Sequence, residues 1–289
     1  MLTDAEIGTA TCEIVQTRIG RTNIAVVDCP GFNDTTRSDT EILQEIAKVL
    51  STQYLLSKKL RLRGILYLRD ITSDRMEGSD VRTLDLFLRL VGKDAFPHVV
   101  FVTTKWCRLD ADGKRIAYKK ERELKNDFWR EVILDGANVT RFQGTRDSAE
   151  GIISQLVGDA DPVTLQIQHE LIDREMELAS TEAGTILVPE VEQRLGDSKS
   201  KIQRFRDRLL KESNATEQKR VLLDIEIAEK ERDKAQSDKN RLKEKVGFDL
   251  KKKIKDSSAT WQEALRTICS VLGVVISIVV PVTGGCILM

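Results

Sequence analysis

The sequence predicts a three-layer α/β domain followed by an α-helical extension, and three observations carry that reading. Residues 24–27, 64–68 and 99–103 are continuous apolar runs of strand length, the pattern of strands covered on both faces in a parallel sheet. Between the last two, residues 80–91 space Val81, Leu84, Leu88 and Val91 along one face of a helix, so strand and helix alternate. Beyond residue 160 the apolar positions switch to helical spacing inside a highly charged background.

Taken in chain order, residues 12–18 and 22–28 are apolar-rich runs joined by Gly20-Arg21, which reads as a β-hairpin. Its second strand ends in Val26-Val27-Asp28-Cys29-Pro30-Gly31-Phe32. An acid at the carboxyl end of a buried strand stands where α/β folds place ligand chemistry. Asp28 would hold Mg²⁺ through water there, and Gly31, without a Cβ, could bring its amide to a terminal phosphate. Asp-x-x-Gly is also an ordinary turn sequence, so these four residues alone leave both readings open. The run at 99–103 leads into Thr103-Thr104-Lys105-Trp106-Cys107; residues 139–142 form a last short strand, and Ser148-Ala149 opens a helix.

Four blocks occur in a telling order: Asp-Cys-Pro-Gly-Phe-Asn-Asp-Thr-Thr-Arg-Ser-Asp (28–39), Gly-Ile-Leu-Tyr-Leu-Arg-Asp-Ile-Thr-Ser-Asp-Arg-Met-Glu-Gly (64–78), Val-Thr-Thr-Lys-Trp (102–106) and Arg-Phe-Gln-Gly-Thr-Arg-Asp-Ser-Ala (141–149). This series resembles the fungal G-domain proteins, relatives of the septin and immunity-associated (AIG1-type) GTPases. The resemblance implies a P-loop GTPase fold, GTP and Mg²⁺ as ligands, and a nucleotide-dependent assembly switch with slow hydrolysis. At matching positions it implies Thr11 and Asp28 at Mg²⁺, Gly31 at the γ-phosphate, and Thr104, Lys105, Ser148 and Ala149 around the base. Thr11 also reads as a threonine at the start of a strand.

Three departures qualify that picture. No Gly-x-x-x-x-Gly-Lys-Ser/Thr occurs in the chain, so the phosphate cradle and its lysine are absent. The family's first strand is lost with it, and that strand lies mid-sheet, between residues 24–27 and 64–68. Deleting a central strand strands two rows of backbone groups, at about 1–3 kcal/mol for each buried group left unsatisfied. The sequence therefore reads as a G domain truncated at its amino terminus. Next, Cys107 stands where the family pattern has the aspartate that pairs with guanine; a thiol accepts hydrogen bonds weakly, and Asp110 lies three residues further on. Finally, Phe32 follows Gly31 where Ras-like enzymes carry a water-orienting glutamine, which implies slow turnover.

Composition fits a cytoplasmic assembly protein. Over 289 residues, 46 basic side chains balance 46 acidic ones, leaving no field that favours nucleic acid. Cysteines 12, 29, 107, 269 and 286 form no Cys-x-x-Cys pair, and neither a disulfide framework nor a zinc site is indicated. The expected domains are a truncated G domain over 1–160, a charged helical or coiled-coil extension over 161–264, and a hydrophobic tail over 265–289. In the extension, Leu195, Ile202 and Leu209, with Phe205, form one seam; Val221, Ile225, Ala228, Ala235, Leu242 and Val246 form a second, interrupted at Arg232 and Lys239. The break near 213–216 makes these two helices, paired within the chain or between chains.

Residues 268–282 are almost wholly apolar and follow a lysine cluster at 251–255. A span needs about 20 apolar residues, reached here only by counting through Pro281 and Gly284-Gly285. Three readings stand: a tail anchor, a helix buried against the domain or a partner, or prenylation at Cys286 in the terminal Cys-Ile-Leu-Met. The functional alternative to a guanine-nucleotide switch is a nucleotide-free, membrane-associated helical scaffold. The switch reading implies a guanine nucleotide as ligand and self-association through the G domain or the helices.

Overall fold

The computed structural model describes residues 12–34, 36–56, 61–73, 76–157, 161–256 and 285–288. Thr11 lies outside them, as does the apolar run at 268–282. The elements are β1 (Glu13–Ile19), β2 (Thr22–Asp28), α1 (Asp39–Leu55), β3 (Arg61–Asp70), α2 (Gly78–Val91), β4 (Val99–Thr104), α3 (Ala111–Glu123), α4 (Arg130–Leu134), β5 (Asn138–Arg141), α5 (Arg146–Val157), α6 (Gln166–Gln168), α7 (Glu182–Lys211), α8 (Ala215–Leu242), α9 (Val246–Asp256) and β6 (Gly285–Leu288). A mixed α/β fold results, built on a six-stranded sheet in the order β1-β2-β6-β3-β4-β5. The pairings β2-β6, β6-β3, β3-β4 and β4-β5 are parallel, and β1 closes one edge antiparallel to β2.

The empty middle position expected from the sequence is filled. Strand β6 lies between β2 and β3, pairing Ala25 with Cys286 and Val27 with Leu288 on one side, and Leu62 with Cys286 and Ile65 with Leu288 on the other. Its backbone thus supplies partners to both rows that a deleted central strand would have left bare. None of the three sequence readings of the tail places residues 285–288 in the sheet, so this is a correction to the expected missing strand. A span through 268–284 that carried residue 285 across a bilayer would require β6 to leave the sheet. Among the described residues no helix is long and apolar enough to cross a membrane.

The runs at 24–27 and 99–103 are covered on both faces, whereas that at 64–68 is buried only as far as Leu66 and leaves Leu68 exposed. Ile24 to Val27 and Val99 to Thr103 are buried throughout. Along β4 the side chains alternate between two cores: Val99 and Phe101 join the large one, Val100 and Val102 the small one with Ile152 and Leu156 of α5. A register shift in β3 falls between Leu62 and Gly64. A Cβ on Gly64 would come within 2.6 Å of the Leu156 side chain and 2.7 Å of the His98 carbonyl oxygen, so helix and strand meet there with no room for a methyl group.

The opposite face carries α1 and α2. Ile42, Leu43, Ala47 and Leu50 of α1 and Leu84, Leu86, Leu90 and Val91 of α2 are buried in the large core, where Phe101 stacks on Trp129 at 4.6 Å between ring centres. Val163, Leu165, Leu171, Leu178, Leu187 and Val191 belong to the same core. Helices α7 and α8 pack against each other along the seam read from the sequence: Leu195, Ile202, Val221, Ile225, Ala228, Ala235 and Leu242 are buried, with Phe205 and Leu209 half-buried. Asn214 caps α8 by accepting from the amides of Thr216 and Glu217 at 2.9 and 3.4 Å, which fixes the turn between the helices.

The seam also contains a carboxylate. Asp238 is buried three residues after Ala235; it accepts a hydrogen bond from the Ser38 hydroxyl at 2.6 Å and pairs with Arg194 at 2.8 Å. Ser38 is simultaneously the N-cap of α1, accepting from the Glu41 amide at 3.2 Å. Around this joint Arg82 bridges Asp39 and Glu190, and Gln44 bonds both Glu244 and Arg241. Replacing Asp238 by alanine strips Ser38 and Arg194 of a buried charged partner, at about 1.5–3 kcal/mol. Asp238→Ala is therefore expected to lower the urea midpoint by that equivalent and to speed proteolysis within 182–242; an unchanged midpoint would show that the joint contributes nothing.

Candidate functional site

The carboxyl ends of the parallel strands form one edge of the sheet, and most of the residues singled out from the sequence lie there. β2 ends at Asp28, while β3 runs to Asp70, past its last pairing with β6 at Ile65. Where β6 stops, a cavity of about 390 Å³ opens, lined by Asp28, Gly31, Phe32, Tyr67, Arg69 and Asp80, among others. Gly31 is exposed, and a Cβ built on it would meet nothing within 4 Å; packing does not demand the glycine, and its amide is approachable. Phe32 is half-buried against the large core, so its ring serves packing and orients no water.

The loop after Gly31 is fixed by its own polar side chains. Asn33 adopts the left-handed region at φ 65° and donates its amide to Asp39 at 2.7 Å. The Asp34 carboxylate accepts from the Thr36 hydroxyl and amide and from the Arg37 amide, which together hold its pKa below the usual carboxylate value. Across the cavity, hydrogen bonding and charge from Arg69, at 3.0 Å, lower the pKa of Asp80 against the opposing effect of burial. Burial pushes the Tyr67 phenol up to about 12.

The second group lies at the ends of β4 and β5. Lys105 adopts the left-handed region at φ 64° and pairs with Asp70 at 2.7 Å, tying the ends of β3 and β4 together. Burial raises the Asp70 carboxyl, but its hydrogen bonds from Lys105 and Thr72 outweigh that and leave it below the usual value. The Thr104 hydroxyl points back to the Arg69 carbonyl at 3.4 Å. Cys107 is exposed and packs at Gly144, where a Cβ would sit 3.1 Å from its sulfur, so the loop ahead of α5 meets the loop after β4. Helix α5 begins two residues earlier than read: Ser148 and Ala149 sit in its first turn, their amides bonded to the Thr145 hydroxyl and carbonyl, while the Ser148 hydroxyl accepts from Gln143.

Behind these loops lies an ion pair that the sequence did not disclose. Glu121, buried on α3, accepts a forked pair of bonds from Arg141 and a bond from the Thr103 hydroxyl, while Trp106 donates to Thr103 at 2.9 Å. The Arg141 guanidinium lies 4.6 Å over the Trp106 ring and 4.7 Å over Tyr118. Trp106 is thereby a support for the loop. Asp110 caps α3, accepting from the Gly113 amide at 2.7 Å, and is not displaced toward the position of Cys107. Asp70 was the missed site residue; its signal, an acid closing an apolar strand, is the one that marked Asp28.

These donors fit GTP and Mg²⁺ only in part. Asp28 offers a carboxylate and Gly31 an open amide, but no group of three or more His, Cys, Asp or Glu side chains among the described residues is placed to hold a metal ion. The cavity at Asp28 is not lined by Thr104, Lys105, Ser148 or Ala149, and the loop after β4 carries at Cys107 a thiol, a weak hydrogen-bond acceptor. No hydrolytic step follows from this arrangement. No protein-family model matches the sequence, and no curated protein matches it. Among solved structures, 45% of the chain aligns with 55% of Toc33 from Arabidopsis thaliana, in a dimerization-deficient mutant, at 14% identity and a TM-score of 0.37. The chain thus spans little more than half the length of that protein.

Burial raises the Glu121 carboxyl, and Arg141, Lys125 and Thr103 more than offset it, so its folded pKa lies below the reference 4.5. A depressed carboxylate contributes stability above its unfolded pKa and loses it as pH falls through the folded one. Wild type is expected to exceed Glu121→Gln by about 1–3 kcal/mol at pH 7, with the gap closing as pH drops below about 4.5. Thermal unfolding of both across pH 3 to 7 checks this; a gap independent of pH would refute the ionised pair.

Proposed function

We propose that the chain is a guanine-nucleotide-responsive protein of the septin and AIG1-like class, whose G-domain-like sheet binds GTP with Mg²⁺ weakly because no phosphate cradle is present in these residues. The observation that supports it best is the placement of Asp28 and Gly31, Lys105 with Asp70, and the meeting of Cys107 with the Gly144 loop, all along one edge of the parallel sheet. In this reading Asp28 orders Mg²⁺-bound water, the Gly31 amide faces the terminal phosphate, and the loops around Thr104, Lys105, Ser148 and Ala149 face the base. Thr11 would complete the metal site. The nucleotide acts as an assembly signal, with self-association through the domain or its helices.

Calorimetric titration with GTP and Mg²⁺ tests this: weak binding lost in Asp28→Ala supports it, and identical heats for the two proteins overturn it. In the same assay Cys107→Asp is expected to raise the preference for GTP over ATP about tenfold, the equivalent of one recovered polar pair. An unchanged ratio would exclude that loop as the base site.

A second reading is a nucleotide-free helical scaffold, favoured by β6 completing the sheet without any nucleotide; its attachment to membranes through the tail would require β6 to withdraw. A charge at the centre of an inserted apolar run costs about 2.5–3.5 kcal/mol on insertion scales, so Ile276→Lys is expected to move a fluorescent fusion from membranes to the cytosol, while Cys286→Ser leaves it attached. A wild-type fusion already in the cytosol defeats this reading, and release by Cys286→Ser alone would make a prenyl group the anchor.

A further inference from the structure

Cys12 and Cys29 face each other across the start of the hairpin. The ladder of β1 and β2 ends at the pair Glu13 and Asp28, and the two cysteines are the next opposed positions beyond it, with their sulfurs 3.4 Å apart. Disulfide closure brings sulfurs to about 2.05 Å and Cβ atoms to about 3.5–4.5 Å, close to the separation of directly opposed residues on antiparallel strands. Cys12 is fully buried, its amide held by the Glu45 carboxylate at 2.5 Å; Cys29 is half-buried and lines the cavity beside Asp28 and Gly31. One cysteine thus borders the cavity, and the other is enclosed with its sulfur 3.4 Å away.

We propose that Cys12 and Cys29 form a reversible disulfide, made by exchange with a small-molecule disulfide, that locks the loop running from Asp28 to Asn33. The Cys29 thiolate attacks one sulfur of the small disulfide and expels a small thiolate, which takes up the proton Cys29 released. Cys12 then attacks the Cys29 sulfur of the mixed disulfide, and its proton leaves with the second small thiolate. Two protein thiols are oxidised and one small disulfide is reduced to two thiols. The order follows from access, since Cys29 lines the cavity and Cys12 is fully buried. Closing the bond fixes the residue after Asp28 to the strand start opposite, so the loop at the cavity mouth loses its freedom to move away from β1. The link itself is independent of nucleotide binding; any effect on GTP rests on the function proposed above.

The full chain, equilibrated with oxidised and reduced glutathione at stepped ratios, acid-quenched, alkylated and digested, provides the test. A linked pair of peptides carrying Cys12 and Cys29, lighter by two hydrogens and restored by dithiothreitol, is expected, while exposed Cys107 carries only glutathione. Amide exchange in residues 29–34 is expected to slow ~10-fold in the linked form. Glutathione retained on Cys29 with Cys12 alkylated, or both alkylated at every ratio, overturns the disulfide; unchanged exchange overturns the lock. Cys12→Ser should trap glutathione on Cys29, and a failure to trap it would mean that Cys29 is not the attacking sulfur. GTP affinity that responds to the redox ratio in wild type but not in Cys12→Ser ties the link to the site; if neither form binds GTP, the nucleotide reading fails while the peptide map still decides the disulfide.

Discussion

Everything at the functional edge depends on the middle of the sheet being filled. Two parallel strands with a one-strand gap between them cannot exchange hydrogen bonds, because neighbours must lie about 4.8 Å apart. β6 bridges that gap with four residues and pairs on both sides. β3 continues to Asp70 after the pairing ends at Ile65, and the cavity lined by Asp28 and Gly31 lies beside it. Without β6, β2 and β3 would each keep a ladder on one side only.

What was legible in the sequence follows from how each element is buried. β2, β4 and the first half of β3 are apolar and buried, so hydrophobic runs betray them; in α2 the periodicity gives the helix but not its full buried face, since Val81 is exposed while Leu86 and Phe87 are buried beside Leu84 and Val91. Helix α1 went unread because it is wrapped: Thr40, Gln44, Glu45, Ser51, Thr52 and Gln53 are buried between the sheet and α8 and α9, and these polar residues erase its periodicity. β6 was hidden for the opposite reason, since an uncharged apolar tail looks the same whether it meets lipid or a strand slot. Asp28 and Lys105 could be picked out locally. Asp70 carries the same local mark as Asp28, an acid closing an apolar strand; Glu121 and Asp238 carry none, because what gives each its role is a partner distant in sequence: Arg141 and Ser38.

The charged residues divide by the same criterion. Pairs such as Arg89 with Asp85, Arg146 with Glu150 and Lys230 with Glu226 lie on open helix faces, where water and salt screen them. Glu121 and Asp238 are buried and hold several donors each, so removing either leaves groups that water cannot easily serve. A balanced total of 46 charges of either sign therefore says little about stability, which turns on a few side chains placed where elements meet.

Ser38 belongs to two structures at once, ending the loop that leaves Gly31 and touching a helix that runs outward from the domain. From Asp238 to the turn at Asn214, α8 extends roughly 36 Å at 1.5 Å per residue, and α7 stiffens it along its length. The Ser38 hydroxyl, with the core contacts of Leu187, Val191 and Leu242, is where this pair is rooted in the domain. A tilt of ~5° at that root would carry the tip ~3 Å over that helix length, so a displacement of the short loop too small to alter the sheet is magnified at the point farthest from it.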